Sequence, residues 1–201
     1  MKKFALAGML LAMLFAARPA TSAVQISFVE DDQTVAVGDS FTLRLRIAGE
    51  TASLDPSLAS FDIQIGFSDP LLAFDSAQFG DPVLGDQLNF SGLADKSVIG
   101  PFPSGVNRSS VQLQETGHEP SAPLQPGDFV LATLTFHAVS SGKAQIVILE
   151  AILDGFNGGF SQVLLDVNAV NVVPEPSTQI WIIAALGFLA AGAMRARTRR
   201  A

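Results

Sequence analysis

Two stretches of strict alternation decide the fold: F-T-L-R-L-R-I at residues 41–47 and F-D-I-Q-I-G-F at residues 61–67. Every second residue is apolar, so an extended strand would bury one face and leave the other in water. Further strands are predicted at residues 24–29, 35–37, 71–74, 111–114, 129–139, 144–149 and 163–172. Because Gly, Pro, Asp and Ser clusters separate these runs, we predict an all-β fold, an antiparallel jelly-roll β-sandwich over residues 24–172.

Two segments between the predicted strands lack this alternation. Residues 76–110 are rich in Gly and Pro, and we predict long loops there with short edge strands. Residues 115–128 hold three prolines and predict a second loop. We expect three phenylalanines of the first segment to pack into the core beneath the loop: Phe79, Phe90 and Phe102.

The charge of the middle region limits the class of partner. Residues 24–173 hold five basic and eighteen acidic residues, so this region carries a net charge of about −13. Such a surface repels a phosphate backbone, which argues against nucleic acid as a partner. The chain has no cysteine, so the predicted sandwich must be held by its apolar core without disulfides.

The first 23 residues predict a secretory signal peptide. Lys2 and Lys3 precede an apolar run at residues 4–17, and Thr21-Ser22-Ala23 supplies small residues for cleavage after Ala23. A retained anchor is the alternative, but the apolar run is short for a permanent span. We therefore predict that the chain is exported.

The C-terminal region has three parts in a fixed order. Val173-Pro174-Glu175-Pro176-Ser177 comes first, an apolar helix candidate at residues 180–194 with Trp181 near its edge follows, and a cluster of basic residues completes it: Arg195, Arg197, Arg199 and Arg200. Tryptophan suits a membrane interface, and arginines favour the cytoplasmic side. We predict a single transmembrane helix with an external domain and a cytoplasmic tail. A plain anchor with a Pro-rich stalk is the alternative.

This three-part pattern resembles the PEP-CTERM sorting signal over residues 173–201. The resemblance implies recognition by an exosortase, removal of the tail, and release or attachment at the cell surface of a bacterium that makes exopolysaccharide. The two prolines fix φ and keep this segment extended, as a processing enzyme requires. Glu175 adds a charge that a cationic pocket could read.

A second resemblance concerns the middle region. V-A-V-G-D-S-F-T-L at residues 35–43, S-F-D-I-Q-I-G-F-S-D-P at 60–70 and P-G-D-F-V-L-A-T-L-T-F at 126–136 are similar to strands of cohesin-like domains. This resemblance implies a cohesin-like β-sandwich and dockerin binding. Related sandwiches serve as carbohydrate-binding modules.

No set of residues predicts catalysis, so we expect a protein that is not an enzyme. His118 and His137 are the only histidines, and without cysteine no zinc site of the usual spacing can be built. No metal ligands or cofactor are assigned. Calcium stays open as a weak alternative, because two carboxylate groups are close in sequence: Glu30, Asp31 and Asp32, and Asp75, Asp81 and Asp86.

The sequence is compatible with three functions. The first is a non-enzymatic surface or matrix protein whose sandwich contacts another surface protein or a polysaccharide. The second is a dedicated carbohydrate-binding or dockerin-binding module. The third is a secreted hydrolase, for which the only support is that Ser, His and Asp all occur.

Overall fold

The computed structural model describes residues 23–54, 57–83, 85–89, 91–118, 125–156, 158–160 and 162–175. The predicted signal peptide before Ala23 lies outside these residues, as does the C-terminal region from Pro176 onward, with Ser177, Trp181 and the four terminal arginines. No helix long and apolar enough to cross a membrane occurs among the described residues.

Two β-sheets face each other in this part of the chain. The strands are β1 (Ala23–Phe28), β2 (Gln33–Ala36), β3 (Ser40–Ser53), β4 (Leu58–Phe67), β5 (Leu72–Phe79), β6 (Asp95–Gly105), β7 (Arg108–Thr116), β8 (Pro126–Ala138), β9 (Gly142–Gly155), β10 (Gly158–Gly159), β11 (Gln162–Leu165) and β12 (Val167–Val173). The smaller sheet has the order β11-β1-β3-β8-β5, and the larger has the order β2-β12-β9-β4-β7-β6, with β10 paired to β9.

The core lies between the sheets and follows the alternation of the sequence. Ile63, Ile65 and Phe67 of β4 point inward and are fully or almost fully buried, while the intervening Asp62 and Gln64 reach the outer surface. Phe136 of β8 stands at the centre of an aromatic cluster, with its ring centroid 5.4–5.8 Å from those of three other rings: Phe41, Phe67 and Phe74. The predicted all-β sandwich is thus confirmed.

The sheets are mixed, so the prediction of a purely antiparallel sandwich was wrong. β1 pairs in parallel with β11, and β2 pairs in parallel with β12. The predicted single strand at residues 163–172 is two strands in different sheets. Asp166 lies at the break, where its carboxylate accepts hydrogen bonds from the backbone N–H of Val167 at 2.8 Å and of Phe28 at 3.4 Å. Pairings between chain segments this far apart leave no trace in local alternation.

The Gly- and Pro-rich segment also differs from its prediction. β5 continues to Phe79, and β6 is an eleven-residue edge strand rather than a short one. Prolines at positions 101 and 103 are tolerated there because an edge strand leaves one row of N–H groups unpaired. Among the described residues of this segment, those outside β5, β6 and β7 therefore fall in the range 80–94 and in the turn at 106–107.

Candidate functional site: an outer sheet face and the sorting junction

A flat polar face covers the outer side of β9, β4 and β7. Asp62 lies at its centre, and its carboxylate accepts hydrogen bonds from the side-chain amides of Gln112, at 2.7 and 2.9 Å, and Gln114, at 2.8 Å. Gln64 donates to the Ser110 hydroxyl at 3.0 Å. We call this surface the β9–β4–β7 face; it comprises Ser60, Asp62, Gln64, Gln112, Gln114, Glu150, Ile152 and Asp154. These cross-strand bonds fix the side chains in place before any partner binds.

One strip of this face, on β9, consists of side chains that are not paired with other described residues. Ile152 of β9 is 52% exposed and lies opposite Asp62 of β4. Glu150 and Asp154 flank it on the same side of the strand, both are exposed, and neither carboxylate has a hydrogen bond or ion pair among the described residues. Two shallow grooves of about 90 and 240 Å³ border Ile152. A partner could therefore make an apolar contact with the isoleucine and ion pairs with the two carboxylates that flank it.

A bulge in β9 shapes the edge of this face. The register between β4 and β9 shifts between Gln64 and Ile65, which leaves Leu149 without a partner residue. Leu149 lies over Gly66, where an added Cβ would stand 3.0 Å from the leucine Cδ1 atom. Gly66 therefore lets the leucine lie flat, and the bulge re-aims a side chain as bulges commonly do.

The predicted sorting motif begins inside the larger sheet. Val173 pairs with Ala36 of β2, and the backbone N–H of Val37 donates to the Val173 carbonyl at 2.9 Å. Pro174 and Glu175 follow at once and are exposed. No linker separates the folded domain from the motif.

A buried glutamate lies beside a lysine and an aspartate close to the loop of residues 80–94. Glu115 of β7 is almost fully buried, and its Oε1 atom is 3.6 Å from the Lys96 ammonium, which also pairs with Asp86. Burial, together with the hydrogen bond and negative charge of Asp86, raises the pKa of Glu115 to about 8. Burial alone would lower the pKa of Lys96, but the hydrogen bond to Asp86 and the charge of Glu115 raise it overall. At neutral pH, Glu115 is therefore largely protonated.

The other residues singled out from the sequence are dispersed. His118 lies 3.1 Å from Asp95, and His137 lies 2.6 Å from Asp75, at separate sites. Within the described ranges, no three His, Asp or Glu residues come together as metal ligands would. Members of the two carboxylate groups have other partners: Glu30 pairs with Arg44, Asp32 accepts from the N–H of Ala169, and Asp86 binds Lys96.

Two of the three loop phenylalanines fall within the described residues. Phe79 packs against the core, 6.0 Å from the Phe61 ring, as predicted. Phe102 is 47% exposed, so the prediction of a core plug was wrong for this residue. It sits on the edge strand β6, close to the tip of the β6–β7 hairpin. Phe90 lies outside the described residues.

Comparison with known proteins supports both resemblances. Residues 172–200 match the PEP-CTERM protein-sorting motif. This motif implies an exported protein whose C-terminus is anchored in the membrane before an exosortase processes it. No curated protein matches the chain.

Solved structures of cohesin modules share the sandwich. A cohesin module of a Clostridium perfringens family 33 glycoside hydrolase is 13% identical, with a TM-score of 0.57 over 77% of this chain and 98% of that one. The type I cohesin–dockerin complex Coh-OlpC–Doc435 from Clostridium thermocellum is 14% identical, with a TM-score of 0.55 over 77% and 94%. The sixth cohesin of Acetivibrio cellulolyticus scaffoldin B, in complex with Cel5 dockerin, is 16% identical, with a TM-score of 0.53 over 75% and 99%. The sandwich therefore has a cohesin-like fold.

Proposed function

We propose that this chain is a non-catalytic surface or matrix protein whose sandwich binds another protein through the β9–β4–β7 face. The signal peptide is removed after Ala23, the segment at residues 180–194 crosses the membrane with the arginines in the cytoplasm, and an exosortase then removes this tail. The sorting motif at residues 172–200 supports the export and processing steps. The final location is the cell surface or the extracellular matrix.

The observation that carries the binding role is the strip formed by Glu150, Ile152 and Asp154. Two exposed carboxylates without partners flank an exposed isoleucine on a face whose central aspartate and glutamines are already hydrogen-bonded. A partner that presents basic side chains around an apolar one would complement this strip. A dockerin-like module is the partner class to which the likeness points, because two of the similar cohesins are seen in complex with dockerins.

A protein partner suits this face better than a polysaccharide. Binding of sugar rings commonly uses exposed aromatic side chains as stacking platforms, and the residues that make up the β9–β4–β7 face include no aromatic ring. Its exposed apolar group is a single aliphatic side chain among polar groups, and protein–protein interfaces likewise combine apolar with polar surface. Polysaccharide contact is therefore an alternative outcome of the binding experiment.

Site-specific photo-crosslinking in the producing bacterium tests the binding role. With a benzophenone side chain at Ile152, we expect one discrete protein adduct, and the further change Asp62→Arg should abolish it by placing a cation in the centre of the face. Leu164 on β11 is the matched control, because it is an exposed aliphatic residue of the smaller sheet. Equal adducts from both positions, or adducts that persist with Asp62→Arg, would contradict this binding face. An adduct with a polysaccharide would show that the partner of this face is a polysaccharide and not a protein.

A further inference from the structure

The end of the sandwich from which the sorting motif leaves also carries exposed apolar residues. Phe67 pairs with both Ser109 and Ile146, so the turn after β4, the β6–β7 hairpin and the start of β9 lie toward one end. Gly142 pairs with Val172, which places the last residues of β12 at this same end. We call this region the exit end; it comprises the turns at residues 37–39, 68–71 and 139–141, the hairpin tip at 102–108, and residues 173–175.

Three apolar residues at the exit end are exposed in the described part of the chain. Val106 at the hairpin tip is 94% exposed, and Phe102 and Val139 are each 47% exposed. Pro101 and Pro103 flank Phe102 and are also exposed, so they hold the ring on a stiff strand. Exposed aromatic and aliphatic side chains at a protruding tip suit the boundary between lipid headgroups and acyl chains.

The charges of the exit end differ from those of the rest of the domain. Among the five basic residues of the domain, Arg44, Arg46 and Lys96 pair with carboxylates. The other two have no carboxylate partner among the described residues. Arg108 lies at the exit end, opposite Gly105 in the hairpin, and Lys143 lies two residues beyond the turn at 139–141, opposite Asn171. Three carboxylates share this end, those of Asp39, Asp69 and Glu175, and Asp69 accepts a hydrogen bond from Ser109 at 2.9 Å.

The length of chain beyond the described residues limits how far this end can be from the membrane. Four residues separate Glu175 from Ile180, where the apolar run begins. The five steps from Glu175 to Ile180 span at most about 18 Å when the chain is fully extended. An anchored C-terminus therefore keeps the exit end within that distance of the start of the apolar run, and a tilt of the domain brings its hairpin tip to the lipid.

We propose that the β6–β7 hairpin tip, with Phe102 and Val106 inserted and Arg108 at the headgroups, contacts the phospholipid bilayer while the C-terminus is still anchored. This proposal rests on the anchoring step of the proposed function. The contact would hold the domain tilted over the membrane and keep residues 174–179 close to the membrane surface. It is made by the folded domain and is separate from the partner-binding strip at Ile152.

Single-cysteine labelling of the full chain tests this contact, because the natural sequence has no cysteine. Val106→Cys and Val83→Cys are matched variants. Both valines are at least 90% exposed, but Val83 lies in the loop that follows β5, away from the exit end, where its backbone N–H donates to the Asp81 carboxylate. Each variant carries a nitrobenzoxadiazole label and is reconstituted into phosphatidylethanolamine–phosphatidylglycerol vesicles, with flotation to verify anchoring.

We expect the label at position 106 to shift its emission to the blue and to be quenched by spin-labelled lipid. The label at position 83 should keep its aqueous spectrum, and adding Phe102→Ser should reduce quenching at position 106. Floating protein with equally water-exposed labels at both positions would overturn the proposal while leaving anchoring intact. Protein that does not float would overturn both. If the emission of the label at position 106 shifts only when exosortase is present in the membrane, the hairpin tip contacts the enzyme. That result would also overturn the proposed contact with lipid.

Discussion

Val173 lies directly opposite Ala36 in a parallel strand pair, and the N–H of the next residue, Val37, closes the pair with a 2.9 Å hydrogen bond to the Val173 carbonyl. The region matched by the sorting motif starts one residue earlier, at Val172, which is buried in the core. One stretch of sequence therefore serves both the fold and the sorting signal. A processing enzyme that acts on the folded protein must cleave after Val173, because the residues before that point are held in the sheet.

The first prediction tests the structural role of the start of the motif. Val172→Asp places a carboxylate in the core and should lower the free energy of unfolding by about 3 kcal/mol or more. Asn171→Asp introduces the same group at the exposed neighbour and should change it by less than about 0.5 kcal/mol. Denaturant unfolding of both variants measures the difference. Similar values for the two would mean that β12 is not part of the folded domain.

The second prediction concerns two glycines with positive φ around the loop of residues 80–94. Gly80 has φ +82° and an added Cβ would stand 2.6 Å from the Asp86 Cα, whereas Gly92 has φ +75° and open space around it. Gly92→Ala should cost about 1 kcal/mol from the backbone conformation alone. Gly80→Ala should cost clearly more, because the backbone at Asp86 must move. Equal midpoints of denaturant unfolding for the two variants would show that the loop does not pack as described.

The third prediction concerns the pH dependence of stability. The pKa of Glu115 is about 8 in the folded protein, against an ordinary value of 4.5. Between these pH values the unfolded chain releases a proton that the folded chain keeps, so this group makes stability fall as pH rises from about 4.5 to 8. Glu115→Gln carries no ionisable group and should remove that part of the fall. Melting temperatures measured from pH 5 to pH 9 test this.

The control for the pH prediction is Glu150→Gln, the same substitution at an exposed carboxylate. It should keep the pH slope of the natural protein. The difference between the two variants is expected to reach a few kcal/mol at pH 8, because each pKa unit corresponds to about 1.4 kcal/mol. If Glu115→Gln retained the slope of the natural protein, the Glu115 carboxyl would not be buried in its protonated form.

The sequence predicts the strands where alternation is strict, and the structure departs from those predictions where pairing is non-local. The runs at residues 41–47 and 61–67 lie within β3 and β4 with the expected residues inside. The parallel pairs of β1 with β11 and of β2 with β12 join segments more than 130 residues apart, so no local pattern reports them. Strand β6 is longer than the short edge strand predicted in this segment, because Gly100, Pro101 and Pro103 interrupt its alternation.

Two of the six buried polar or charged residues in the described part of the chain show what the sequence does and does not report. Glu115 has the same parity as Val111 and Leu113 and points inward with them in β7, although the sequence predicted a loop from residue 115 onward. Gln125 is buried just before β8, where its amide accepts from the Leu58 N–H at 2.6 Å and donates to the Leu58 carbonyl at 2.9 Å. Nothing in a Pro-rich stretch of sequence signals that contact. The β9–β4–β7 face could not be predicted from the sequence either, because the residues that form it depend on which strands become neighbours in the sheet.

Intact mass of the mature protein from its native host tests the central claim most directly. We predict a chain that begins near Val24 and ends after Val173 within the sorting motif, and that has lost Trp181 and the arginines at positions 195–200. This result would mean that the cohesin-like sandwich reaches the surface after exosortase processing with β12 complete. A mature mass that retains the arginine tail would contradict it and make the protein a permanently anchored one.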